Sequence, residues 1–273
     1  MGGATSRFSD TDWDVADGGY KDENGETKTL DGKSPTSELT YLRLKKPNVV
    51  NQREFIVVNA DSEDNPNEVL YTSKPIEGTM KNFDLLDGEG NKLFCVQTNS
   101  SREIWNIYSY KPNWEGQAIS YEAAVGSKQD VSVSPLYCKA RIDITWNKHH
   151  GQVLLYEKSV DDTMDPKGYI DDTKPILKVE EIATKTTSLS QYQSYIPTQH
   201  STSIMNSASD IVDSMIPTMI HPHYLVGYWI WEHTTKRNEL RMTLAKHSDI
   251  ALHVLVAIVA NMITVETRAD STE

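Results

Sequence analysis

The sequence predicts a mainly β domain, a sandwich or barrel of many short strands, wrapped around one hydrophobic helix near its C-terminal end. Two observations carry this reading. From Leu39 onward, short apolar or alternating runs recur at regular spacing between turn-forming residues, which is the pattern of a sandwich or barrel. The second is Ile250 to Ile263, IALHVLVAIVANMI, an almost unbroken apolar run that follows Ser248 and Asp249 in an otherwise polar, acidic chain. As a helix it is about 21 Å long, well short of a hydrocarbon core of roughly 30 Å. A helix apolar on all sides has to be covered by protein on all sides.

The strands follow in order. Leu39 to Leu44, Glu54 to Asn59, Glu68 to Thr72, Asn82 to Leu86 and Lys92 to Gln97 are separated by polar segments that contain Pro, Asn, Asp or Gly. The Asp87-Gly88 turn between FDLL and KLFCV is the strongest hairpin signal, because glycine takes up positive φ without steric cost. Further strands are predicted at Glu103 to Tyr110, Gln117 to Ala123, Tyr137 to Trp146, Gln152 to Glu157 and Ile176 to Ile182. Alternation is cleanest after Tyr137, where Cys138, Ala140, Ile142, Ile144 and Trp146 share one face and Lys139, Arg141, Asp143 and Thr145 the other. Periodicity fades from Thr184 to His221, apart from a short helix predicted at Ile211 to Ile216, so 184–221 reads as a loop insertion. Strand character returns at Tyr224 to Trp231, apolar on both faces, and at Glu239 to Ala245.

Residues 1–38 are rich in Asp, Glu, Gly, Ser, Thr and Lys and read as a disordered acidic tail. The domain proper spans 39–266, and 267–273 form a short C-terminal tail. Met1-Gly2-Gly3-Ala4-Thr5-Ser6 matches the N-myristoylation pattern, in which Gly2 becomes the acyl acceptor once Met1 is removed. One myristoyl chain gives only reversible membrane binding. Arg7 is the sole base before Lys21, and Asp10, Asp12, Asp14 and Asp17 would be repelled by an anionic leaflet.

A net charge of −12 argues against general nucleic-acid binding. The two cysteines, Cys95 and Cys138, lie inside strand patterns and read as reduced core thiols. No apolar signal segment is present at the N-terminus, so a cytoplasmic location is expected. Asp10, Asp12 and Asp14 miss the EF-hand pattern, with Val15 where Gly is needed and Lys21 where Glu is needed. Asp161, Asp162, Asp165, Asp171 and Asp172 read as a solvated turn. His221-Pro222-His223 with Glu232 and His233 has metal-ligand character but no familiar spacing, and His149 and His150 read as a turn. His253 reads as a neutral, hydrogen-bonded core imidazole. With no nucleophile motif or phosphate loop, no enzyme activity, metal or cofactor is expected.

FDLLDGEGNKLFCV, the strand Glu239 to Ala245 and the run HSDIALHVLVAIVANMI together resemble the tubby C-terminal-like superfamily, which includes phospholipid scramblases and LURP-one-related proteins. The resemblance covers residues 39 to 266 and implies a closed antiparallel β-barrel with the C-terminal helix threaded through it. It also implies binding of phosphoinositide headgroups by basic strand residues, as in tubby proteins. The acidic calcium segment and cysteine-rich stretch of the scramblases are missing here. The candidates for a headgroup-binding face are Arg43, Lys45, Lys46, Lys139, Arg141, Lys236, Arg237 and Arg241, with Gly2 as the lipidation site. The reading is of a non-enzymatic peripheral membrane or signalling adaptor whose partners are lipid headgroups and unidentified proteins. The alternatives are a protein-interaction barrel with no lipid role, a scramblase-like membrane protein, and a tail anchor formed by Ile250 to Val265.

Overall fold

The structure is a computed structural model. It describes residues 18–21, 27–46, 53–60, 68–79, 81–98, 104–110, 137–145, 150–157, 169–182, 189–196, 225–234 and 237–270. The elements are β1 (Tyr20–Lys21), β2 (Thr27–Lys28), β3 (Thr40–Lys45), β4 (Phe55–Asn59), β5 (Val69–Pro75), β6 (Phe83–Asp87), β7 (Lys92–Thr98), β8 (Ile104–Ser109), β9 (Tyr137–Thr145), β10 (His150–Glu157), β11 (Tyr169–Ile182), β12 (Leu189–Tyr195), β13 (Leu225–Thr234), β14 (Arg237–Leu244) and α1 (Ile250–Asp270). β1 and β2 form a separate small hairpin. The twelve strands β3 to β14 form a closed barrel in which each pairs antiparallel with the next, and β14 closes onto β3. Closure leaves the twelve-stranded barrel itself without an edge strand.

The strands form where the sequence alternates. On β9, Ala140, Ile142 and Ile144 are buried while Arg141 and Asp143 are only partly so. On β3, Leu42 and Leu44 point to the core and Arg43 to solvent. The β6–β7 turn forms where expected, but the positive φ falls on Gly90 (89°) and not on Gly88, and Asp87 accepts hydrogen bonds from the amides of Glu89 (3.0 Å) and Asn91 (2.8 Å). The Asn91 side-chain amide also donates to Asp87 at 3.0 Å, holding that carboxyl below its ordinary range. Gly88 passes against β5, where a Cβ would lie 2.2 Å from the Val69 carbonyl oxygen. Cys95 is buried on β7 as a free thiol, and burial pushes its pKa up to about 12.

The thirteen consecutive residues Ala251 to Ile263 of α1 are all buried, in one core with inward side chains such as Phe55, Phe83, Phe94, Trp105 and Trp229. The helix therefore lies inside the barrel, and the tail-anchor reading is corrected: the apolar run is covered by strand side chains. Among the described residues no helix is long and apolar enough to cross a membrane. Asp249 caps the helix, its Oδ1 accepting the Leu252 amide at 2.9 Å. His253 lies one turn in, with Nδ1 2.8 Å from the Asp249 carbonyl oxygen and Nε2 3.2 Å from Ser194 Oγ on β12. A carbonyl can only accept, so Nδ1 carries the proton and Ser194 donates to Nε2. Small residues bring the helix close to β13: a Cβ on Gly227 would stand 2.9 Å from the His253 ring and 2.3 Å from Ser194 Oγ.

Three sequence expectations are revised. The loop insertion at 184–221 contains a barrel strand, β12, in which Tyr192 and Ser194 face inward and Tyr192 stacks on Trp229 at 5.6 Å. Its inward positions are too polar to stand out as alternation. β11 begins at Tyr169, ahead of the predicted Ile176, because register shifts around the Leu154 and Pro175 pair admit the proline. The strand thereby takes in Asp171 and Asp172, read above as part of a turn.

The third revision concerns the tail assigned to 1–38, since residues 18–21 and 27–38 have defined places. The Leu30 side chain is buried in the core, and its amide donates to Asp249 Oδ2. Asp31 Oδ2 accepts the Tyr71 hydroxyl at 2.8 Å, the His247 amide donates to the Thr36 carbonyl at 2.6 Å, and the Gly18 amide donates to the Lys246 carbonyl at 2.8 Å. This strap closes the end of the barrel where α1 enters, using backbone groups that composition does not reveal. Gly2, the strand predicted at Gln117 to Ala123, the helix predicted at Ile211 to Ile216, His149, His221 and His223 lie outside the described residues.

Candidate functional site: the barrel seam

Closure of β14 onto β3 sets Arg241 directly opposite Arg43 and Glu239 opposite Lys45. Leu240 and Met242 on β14, like Leu42 and Leu44 on β3, are core residues, so the intervening Arg43, Lys45, Glu239 and Arg241 occupy the outer face. Directly opposed residues have Cβ atoms about 5 Å apart, and like charges so placed repel. Glu239 moderates the repulsion: its Oε1 lies 3.6 Å from Arg43 Nε and 3.8 Å from Arg241 Nε. Both separations are ion-pair contacts longer than a hydrogen bond, and that buried oxygen accepts none among the described residues. The arginine side chains are 50% and 55% exposed, against 23% for Glu239. A partly covered carboxylate thus lies within ion-pair range of two solvent-facing arginines, whose planar forks suit an oxyanion.

The remaining candidates divide around the ring. Arg237 lies on the same strand, paired with Thr234 beyond Glu239, and Lys236 lies outside the described residues in the link between β13 and β14. Lys46 follows β3; its ammonium lies 5.4 Å from the centre of the Phe55 ring, and burial pulls its pKa down to about 8. Lys139 and Arg141 are on β9, half-way round the barrel from β3. Arg141 is engaged by Asp143 through two contacts of 2.7 Å. One site cannot use both walls: the structure brings Arg43, Lys45 and Arg241 to one seam, sets Arg237 farther along β14 beyond the residues that pair with β3, and leaves Lys139 and Arg141 on the other side. Glu239 was missed as a member of the site. Its two-residue spacing from Arg241 is the only sequence signal, and it tells nothing about Arg43 until the barrel closes.

Among the described residues no three His, Cys, Asp or Glu side chains converge as metal ligands would. Glu232 faces Glu239 and His233 faces Asn238 in the β13–β14 register.

The class defined by these observations is a closed twelve-stranded antiparallel barrel with a buried central helix and an arginine-lined closing seam. No protein-family model matches the chain, and no curated protein matches it. Among solved structures it is similar to the X-ray structure of a protein from Arabidopsis thaliana, with 11% identity over 86% of this chain and 97% of that one and a TM-score of 0.46.

Proposed function

We propose that this chain is a non-enzymatic peripheral membrane or signalling adaptor that binds phosphate-bearing lipid headgroups, phosphoinositides among them, at the β3–β14 seam. The observation that carries the proposal is the direct opposition of Arg43 and Arg241 with one carboxylate between them. Two like charges held face to face are relieved by an anion bridging both, and a phosphate offers oxygens to each fork. Lys45 adds positive charge in the neighbouring pair. Against a net charge of −12, the interaction is a local one.

Acylation at Gly2 would supply the second contact. Gly2 lies sixteen positions before Gly18, whose amide is fixed at the strap end of the barrel. Fully extended, this stretch reaches about 50 Å, while the six residues of β3 span about 20 Å. An acyl chain can therefore enter the same membrane that the seam touches. Each contact alone is weak, and the two in one molecule reinforce each other through effective concentration.

The test is sedimentation of the acylated full-length chain with vesicles, with and without phosphoinositide, alongside Gly2→Ala. Binding is expected to need both the phosphoinositide and Gly2. If the acylated chain, verified by intact mass, stays in the supernatant with every vesicle, the reading fails and a protein-interaction barrel with no lipid role takes its place.

A further inference from the structure

The antiparallel order of the barrel sorts its connections by end. The links that follow β3, β5, β7, β9, β11 and β13 join strands at the mouth toward which α1 runs, and those that follow β4, β6, β8, β10, β12 and β14 start from the strap end. By sequence, the first six links carry seven Lys or Arg against three Asp or Glu, and the second six carry fourteen Asp or Glu against five Lys or Arg. The chain ahead of β3, which reaches the barrel at the strap end, adds nine acidic and four basic residues. A protein of net charge −12 thus has one basic end. Among the described residues there, Lys46 and Arg53 flank the β3–β4 link and Lys74 and Lys81 stand at the β5–β6 link, with Glu54 and Glu77 interspersed. Asp84, opposite Lys74, is already paired with Lys92 at 2.6 Å. The seam opens onto the same mouth, since Lys45, with Glu239 facing it, ends β3.

Building on the headgroup reading above, we infer that the protein docks end-on, with this basic mouth against an anionic membrane surface and the strap end pointing away from it. The stretch of α1 from Ile250 to Ile263, which runs from one end toward the other, is about 20 Å long. Surface charge is screened over about 8 Å at physiological ionic strength. End-on, the basic mouth meets the full surface potential while the acidic end stands more than two screening lengths away. Lying on its side, the barrel would bring the acidic end into the repulsive field. The charge of the chain therefore orients it at the surface instead of excluding it. An extended acyl tail of about 50 Å spans the barrel, so its fixed point at the acidic end is no obstacle.

The experiment measures binding of the acylated full-length chain to phosphatidylcholine vesicles that contain a phosphoinositide. Two double variants change the net charge equally in opposite senses: Lys74→Glu with Lys81→Glu at the mouth, and Glu68→Lys with Glu89→Lys at the strap end, where both glutamates are exposed. The mouth variant is expected to lose at least tenfold in affinity. The strap-end variant is expected to stay within about twofold of wild type. A fluorophore carried by Glu77→Cys should be quenched by a headgroup-labelled lipid and one carried by Glu89→Cys should not, with the unsubstituted chain as the labelling blank. Matching thermal unfolding checks that the variants are folded. Tightening in the strap-end variant as large as the loss in the mouth variant would mean that net charge and not its placement governs binding, and would overturn the inference. Undiminished binding by the mouth variant, or equal quenching at the two positions, would mean that the barrel lies on its side; the inference then falls while the headgroup reading stands. A wild type that binds no vesicle removes the headgroup reading and this inference with it.

Discussion

Substitutions around the whole circumference of α1 are expected to destabilise the protein, with no tolerant face. Leu252→Ala, Leu255→Ala and Ile258→Ala each remove a side chain that is no more than 2% exposed, and each should cost about 2–5 kcal/mol, according to how far the cavity collapses. Roughly 160° around the axis from Leu255 lies Ala257, on the narrow stripe that includes His253 and Ala260. All three are buried, and His253 marks this as the side facing β13. There the small side chain allows close approach, so Ala257→Leu is expected to cost about 1–3 kcal/mol by overpacking. Urea denaturation of the four variants checks this. A helix lying on the outside of a sheet would show one face where changes stay within about 0.5 kcal/mol.

Acid is expected to unfold the protein through His253. The ring is buried, and desolvation lowers its pKa from an ordinary 6.5 to about 4, only partly opposed by its bond to the Asp249 carbonyl. The unfolded chain takes up this proton near pH 6.5, while the folded chain resists until about pH 4. Between those values the unfolded state binds more protons, so stability falls as pH falls, by about 3 kcal/mol over the whole window. Above pH 6.5 both states hold the ring neutral and this contribution is flat. His253→Gln removes the titration, and the difference in unfolding free energy between wild type and variant should lose its slope above pH 6.5 and change steadily below it. A difference independent of pH from 7 to 4.5 would mean that the ring is accessible to protons in the folded state.

The fold was legible wherever burial on one face leaves a period of two. β3, β4, β7, β9 and β14 could be located from residues such as Leu42, Val57, Phe94, Ile142 and Leu240, each buried and set between more exposed or polar neighbours or within a short apolar run. The helix was legible because its run is apolar all round. β12 was hidden because its inward residues include Ser194, whose reason for burial is a hydrogen bond to a histidine far along the chain. The strap was hidden for a similar reason: it is fixed by one leucine and several backbone hydrogen bonds, and Leu30 has no periodic neighbours. For the candidate site, sequence supplied the basic residues but not their partition. Arg43 and Arg241 face each other only because the first and last barrel strands pair, whereas Arg141 already has its counterion two residues away in Asp143. Glu239 escaped notice since a carboxylate counts against a headgroup site until its contact with both arginines is seen.

The measurement that bears most directly on the seam is calorimetric titration of a soluble inositol phosphate into wild type, Arg43→Ala with Arg241→Ala, and Lys139→Ala with Arg141→Ala. Hydrogen bonds to charged groups contribute about 1.5–3 kcal/mol each, so the seam double variant is expected to lose at least tenfold in affinity. The β9 double variant should bind as wild type does. Equal losses in both variants, or a loss confined to β9, would contradict assignment of the headgroup site to the closing seam of the barrel.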